Sequence, residues 1–186
     1  ILRINSPGGS VTACDIVYHE IKKFKNEKKI PVTASIMDVA ASGGYYICLA
    51  ADTIIAHPTS IIGSIGVIAL KFNAKGLLEK IGIEDESIKS GDKKDLFSPF
   101  RPNTLEEKKI LEEIIKSLHQ RFIEKITEER KGLTKKQVIK LADGRIYTAA
   151  QALEAKLIDK IGYLEDTIEI TKKMAGVSKA KVIIYN

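Results

Sequence analysis

Histidine, cysteine and long apolar runs are scarce in this chain, and each scarcity narrows what it can be. Among 186 residues there are three histidines and two cysteines, and aromatics make up 6%. No window approaches 18 consecutive apolar residues, so the sequence offers no membrane-spanning helix. No signal peptide opens it. Cys14 and Cys48 lie in small-residue, apolar helical contexts and their spacing fits no metal motif, so both read as core thiols. They leave the redox compartment open. The net charge is +6. The lysines alternate with glutamates along helical stretches, which points to a solvated helix face rather than a nucleic-acid surface. An anionic membrane surface is compatible with that charge.

What is present is a well-filled globular sequence, 44% hydrophobic and 29% charged, long enough for one domain with a real core. No repeat, low-complexity tract or linker divides it, and residues 1–186 read as a single domain. The chain begins at Ile1, inside a strand and without Met, as a piece cut from a longer protein would.

The stretch Asp38-Val-Ala-Ala-Ser-Gly-Gly-Tyr-Tyr46 commands the reading. Pro31–Met37 before it is apolar and partly β-branched, which predicts a buried strand. Ile47-Cys-Leu-Ala-Ala51 after it continues a helix. Ser42 therefore sits at a sharp strand-to-helix turn, with Gly43 and Gly44 leaving room for another backbone. A serine nucleophile is often presented this way. A plain serine N-cap accounts for the same residues.

Along the chain, Ile1–Ile4 predicts a strand, Asn5–Ser10 a Gly/Pro loop, and Val11–Lys25 an amphipathic helix. Thr53–Ala56 and Ile61–Leu70 read as strands, Phe72–Ile81 as a short helix, Ile83–Lys89 as a strand and Ser90–Pro102 as a structured loop. Thr104–Glu107, Thr134–Gln137 and Thr148–Gln151 are capping boxes. The first opens a long helix ending at Lys131-Gly132, whose apolar stripe runs from Leu105 to Ile126. Leu164–Met174 is a final helix and Lys181–Tyr185 a closing strand. Strands feeding helices through glycine-rich turns make an α/β domain, with ligands expected at the turns after the strands.

A serine nucleophile needs a base and an oxyanion hole. The N–H of Gly43 is one natural donor, and Gly9, in an open glycine loop, the natural second. A strand-to-helix turn explains Ser6–Gly9 equally. His19 and His119 lie on amphipathic helices. His57 precedes Pro58 at a strand end with no obvious carboxylate partner. A lysine can replace histidine when burial disfavours its charge, but spacing alone selects none of the many lysines.

Asn5-Ser-Pro-Gly-Gly9, Ala40-Ala-Ser-Gly-Gly-Tyr-Tyr46, Gly63-Ser-Ile-Gly-Val67, Lys89-Ser-Gly-Asp-Lys-Lys-Asp95 and Ala142-Asp-Gly-Arg-Ile-Tyr147 together resemble the S49 serine peptidases of the signal peptide peptidase A type. The likeness spans nearly the whole chain. It implies an α/β, ClpP/crotonase-like spiral of β-β-α units with a long C-terminal helix region. It implies a Ser/Lys dyad, a ring-like homo-oligomer, and an N-terminal membrane anchor and first strand and helix that lie outside this sequence. Carried over, Ser42 is the nucleophile, and Lys94, the lysine before Asp95, is the general base. Ser64 orients the lysine, and Gly43 and Gly9 form the oxyanion hole. Lys89 and Lys93 are rivals by residue type. Asp92, two residues before Lys94, would oppose base function if it pointed inward, and is expected to face solvent.

The implied activity is endopeptidase cleavage of hydrophobic peptides such as signal-peptide remnants, with no metal, organic cofactor or nucleic-acid partner. Other S49-type peptidases, which process phage capsids or cleave membrane scaffold proteins, are alternatives within the family. A ClpP-type Ser-His-Asp peptidase, a crotonase-like acyl-CoA enzyme and a non-catalytic scaffold subunit are the alternatives outside it.

Overall fold

The computed structural model describes residues 1–185. They divide into two compact units, one of residues 1–66 and 119 onward, the other Val67–Leu118.

The first unit holds the whole sheet. Strand β1 (Leu2–Ser6) leads into helix α1 (Val11–Lys28), β2 (Thr33–Ala41), the short helix α2 (Gly43–Cys48), β3 (Thr53–Ala56) and β4 (Ile61–Gly63). After the second unit come α5 (Lys135–Leu141), β5 (Ile146–Thr148), α6 (Ala149–Glu154), β6 (Lys160–Ile161) and α7 (Leu164–Met174). The expected α/β class is what is found.

The sheet is organised around β2. Its buried residues fall on both faces, Thr33 to Ile36 in succession and then Ala40 and Ala41, the pattern of a central parallel strand covered by helices. On one side β1 pairs with it in parallel, and on the other β3 does so, followed by β4 further along. β6 extends the sheet beyond β3, and antiparallel β5 beyond β4. The core beneath it includes Tyr45, Leu49, Ile54, Ile62, Ile126 and Leu157. Tyr45 is fully buried and its hydroxyl donates to the Leu157 carbonyl at 2.7 Å, so the ring fills the core without stranding its polar end. Cys14 and Cys48 are both buried free thiols, as expected.

In the second unit, α3 (Lys75–Ile81) is followed by an irregular stretch and the start of α4 (Leu105–Glu129), whose residues beyond Leu118 belong to the first unit. Among the described residues, no apolar side chain of Val67–Leu118 is fully buried. Ile68, Leu70, Phe72 and Leu77 are all exposed.

All three capping boxes form. Thr104 accepts from the Glu107 N–H while the Glu107 carboxylate accepts from the Thr104 N–H, and Thr134–Gln137 and Thr148–Gln151 repeat the exchange.

Three expected strands are corrected. The run Ile61–Leu70 is a strand only over Ile61–Gly63, because Gly63 at φ 109° and Ser64 at φ 48° turn the backbone out of the extended region. Ile83–Lys89 alternates apolar and polar residues but is exposed throughout and pairs with nothing, and Asp85 draws it into a turn by accepting from the Ser87 N–H. Lys181–Tyr185 is exposed and joins no ladder. In the other direction, β2 runs four residues past Met37 to Ala41, so the entire strand-to-helix turn is Ser42.

Candidate active site

Ser42 is held in an uncommon conformation. Its φ of 51° and ψ of −120° lie outside the regions open to ordinary side chains, a state that costs on the order of 1–3 kcal/mol and persists only where the surroundings impose it. They do so here by clamping its backbone from both sides. The Ser42 N–H donates to the Gly63 carbonyl at 2.7 Å, and the Ser42 carbonyl accepts from the Tyr46 N–H at 3.0 Å. Although Ser42 occupies the N-cap position of α2, its side chain makes no capping hydrogen bond. The N-cap explanation of this serine therefore fails, and the hydroxyl is left for other use.

The loop after β1 is laid against this turn. Gly8 has φ 114°, and a Cβ on it would stand 2.9 Å from both the Gly43 nitrogen and the Ser42 Cβ. A Cβ on Gly43 would come within 2.2 Å of the Cys14 sulfur and 3.2 Å of the Gly9 nitrogen, and one on Gly44 within 2.5 Å of the Ser6 carbonyl oxygen. Side chains at these positions would force the two segments apart. Gly9 itself has open space where a side chain would be. Among the described residues, neither the Gly9 N–H nor the Gly43 N–H donates to a protein acceptor. Two unsatisfied donors thus stand beside Ser42, as an oxyanion hole requires.

Ser64 joins them through sheet register. β2 and β4 are parallel with Ala41 opposite Gly63, so Ser42 and Ser64 are the next residues on adjacent strands. Both have positive φ. The Ser64 N–H donates to the Arg145 carbonyl at 2.8 Å, and a Cβ on Gly63 would strike the Tyr147 ring at 2.7 Å. Tyr147 is buried and its hydroxyl donates to the Leu141 carbonyl at 2.9 Å. Arg145 and Tyr147 thus form the backing of Ser64, a role that sequence reasoning did not assign to them. Their segment, Ala142–Tyr147, was visible only as a motif.

The first unit accordingly brings together Ser42, Gly43, Gly9 and Ser64. His57 is elsewhere. It follows Ala56, which pairs with Ile36, and so stands level with Met37, five residues short of Ser42. At about 3.3 Å per residue that is roughly 16 Å. Its Nδ1 lies 2.9 Å from the Thr59 hydroxyl, and its ring meets Tyr163 edge-on. The thiols are poor rivals as nucleophiles. Burial raises Cys14 and pushes Cys48 up to about 12, so neither ionises readily.

Lys94 lies in the second unit, on a turn from Asp92 to Phe97 in which its N–H donates to the Gly91 carbonyl at 3.1 Å. Here the three candidate lysines separate. Lys89 pairs with Asp95 at 2.8 Å and Lys93 with Glu106 at 2.6 Å. The Glu106 carboxylate raises Lys93 above the ordinary lysine value. Lys94 is exposed and has no carboxylate partner among the described residues. Asp92 is exposed, as expected. Arg101 grips Asp95 through Nε and Nη2 at 2.7 and 2.6 Å and Glu107 through Nη1 and Nη2 at 2.8 and 2.6 Å. The guanidinium holds Asp95 far below the usual carboxylate range. It also lowers Glu107 to about 2, aided by the backbone N–H of Thr104.

Comparison with known proteins follows the same lines. The model of peptidase family S49 matches residues 24–178. A putative signal peptide peptidase of Enterococcus faecium is 40% identical over 185 residues, covering 100% of this chain and 53% of that protein. A putative protease of Methanocaldococcus jannaschii is 37% identical over 185 residues, covering 100% of this chain and 58% of its own. A chloroplastic serine protease of Arabidopsis thaliana is 38% identical over 98% of this chain and 27% of its own length. The chain thus spans little more than half of the first two relatives. With a glycine-framed serine turn inside the region that matches, the chain belongs to peptidase family S49.

Proposed function

We propose that this chain carries the chemistry of a serine endopeptidase with a Ser42/Lys94 dyad, acting on hydrophobic peptides such as signal-peptide remnants. The observation that carries the reading is the clamped, uncapped Ser42 with the unsatisfied N–H groups of Gly43 and Gly9 beside it. In this scheme neutral Lys94 takes the proton from the Ser42 hydroxyl as Oγ attacks the scissile carbonyl. The two N–H groups receive the charge that develops on the carbonyl oxygen. The C–N bond then breaks, with Lys94 returning its proton to the leaving amine. Water, deprotonated in the same way, cleaves the acyl-enzyme and restores Ser42. Ser64, beside Ser42, offers the hydroxyl that would fix the direction of the amine.

Lys94 is preferred to its neighbours because a base needs a free lone pair, and the amines of Lys89 and Lys93 are engaged by the carboxylates of Asp95 and Glu106 at 2.8 and 2.6 Å. Phe97 and Phe100, both exposed on the second unit, offer apolar side chains to an apolar peptide. The protein works as a homo-oligomer, held at the membrane by an N-terminal anchor, and neither a metal nor nucleic acid takes part.

The test is hydrolysis of an internally quenched apolar peptide by the full-length protein. Ser42→Ala and Lys94→Ala should lower kcat/KM by at least three orders of magnitude with the fold unchanged, whereas Lys89→Ala, Lys93→Ala and His57→Ala retain most activity. An inactive His57→Ala beside an active Lys94→Ala would replace the lysine base by histidine.

A further inference from the structure

We propose that Arg101 is a positioning residue for Lys94: it pins the turn that carries the lysine to the start of α4 and keeps the Asp95 carboxylate away from it. The inference rests on the reading of Lys94 as the base.

The geometry is that of a double fork. One planar guanidinium faces two carboxylates at once, Asp95 on the lysine's turn and Glu107 in the first turn of the helix. Four contacts of 2.6 to 2.8 Å from a rigid group fix both direction and distance, which an ammonium cannot do. Glu107 is itself immovable. Its side chain is 2% exposed, and it serves the capping box by accepting from the Thr104 N–H at 2.8 Å. The turn is tied down again where the Ser98 N–H donates to the Asp95 carbonyl at 2.8 Å.

The second half of the argument is charge. The charged groups on and against the turn of Lys94 within its unit are Asp92, Lys93 and Asp95 on the same turn, Lys89 before it, Arg101 after it, Glu106 and Glu107 on the helix, and Lys71, whose ammonium donates to the Leu96 carbonyl at 3.2 Å. Glu106 is held by Lys93, Glu107 by Arg101, and Asp95 by Arg101 and Lys89 together. Asp92 is exposed. Asp95 is the carboxylate covalently nearest to Lys94, and its two oxygens are taken. Without Arg101, Lys89 would still hold Asp95 Oδ2 but Oδ1 would lose its partner and be open to the Lys94 ammonium, and an ion pair there would hold the base in its charged form.

The experiment measures kcat and KM against pH for the full-length protein, using the same quenched apolar peptide, with thermal unfolding of each variant as a control. Arg101→Met should lower kcat by about 10- to 100-fold with KM within about twofold, and should move the alkaline rise of kcat/KM upward by about one pH unit. Arg101→Lys should fail to restore kcat, because one ammonium cannot form both forks. The double variant Asp95→Asn/Arg101→Met should return the pH profile to its wild-type position while kcat stays low. Asp95→Asn alone leaves the Arg101–Glu107 fork intact and so tests the idea even if Arg101→Met does not fold. It should lower kcat without an alkaline shift. If Arg101→Met, or Asp95→Asn where the former is unfolded, keeps wild-type kcat and pH profile while Lys94→Ala is inactive, the proposal is wrong and the dyad stands. An active Lys94→Ala would remove the dyad itself. A loss in Arg101→Met that follows only a fall in unfolding temperature, with no pH shift, would reduce Arg101 to a structural residue.

Discussion

At Ser42 the demands of stability and of chemistry pull apart. A positive φ on a residue with a Cβ costs on the order of 1–3 kcal/mol, which glycine would not incur. Glycine carries its own entropic cost of roughly 0.5–1 kcal/mol. Relief of the strain outweighs that cost, so Ser42→Gly should stabilise the fold by about 1 kcal/mol and raise the unfolding temperature by roughly 2–4 °C. It should also abolish hydrolysis. Calorimetry of the two forms checks this, and a lower unfolding temperature would mean that the Ser42 side chain contributes a contact worth more than its strain. Much of this residue's setting was legible in the sequence, because Ser-Gly-Gly after an apolar run ends the strand and leaves room for another backbone to come close. Its extremity was not, because the clamp comes from Gly63, on another strand, and a single sequence does not display register. Lys94 was legible only as one of several lysines. What separates it from Lys89 and Lys93 is which carboxylates they reach, a matter of tertiary placement.

Among the elements, the helices were the readable part and the short strands were not. Capping boxes are local, complete within four residues, and each of the three forms as the sequence indicates. Strand pairing is not local. Ile83–Lys89 has the alternation of a strand and no partner, while β5 and β6, three and two residues long, are strands only because β4 and β3 lie beside them. The box at the start of α4 leads to a prediction about acid. Asp95 and Glu107 titrate lower in the folded chain than the ordinary carboxylate values of about 3.9 and 4.3. A depressed carboxylate contributes stability that is present above its unfolded value and is lost as pH falls through its folded value. The contribution should therefore be complete above about pH 4.5 and decline toward pH 2. Glu107→Gln should flatten the fall in unfolding temperature over that window. An unchanged slope would mean that the fork adds nothing to the stability of α4.

For the molecule as a whole, the second unit presents a problem of coverage. Ile68, Leu70, Phe72, Leu77 and Ile88 are more than half exposed, and Ile88 is fully so. A contiguous exposed apolar patch is a place where another surface can dock. If copies of the chain cover it in one another, sedimentation should show a discrete oligomer, and replacing Phe72 and Leu77 by serine should shift it toward monomer. A wild-type chain that sediments as monomer at micromolar concentration would exclude this. The sheet, meanwhile, sets an order in time. Ser64 takes its backbone position from Arg145, and Gly63 packs on Tyr147, both made long after Lys94 during synthesis. A growing chain stalled before Arg145 already contains every residue of the proposed dyad, yet the strand end that frames Ser42 lacks its support.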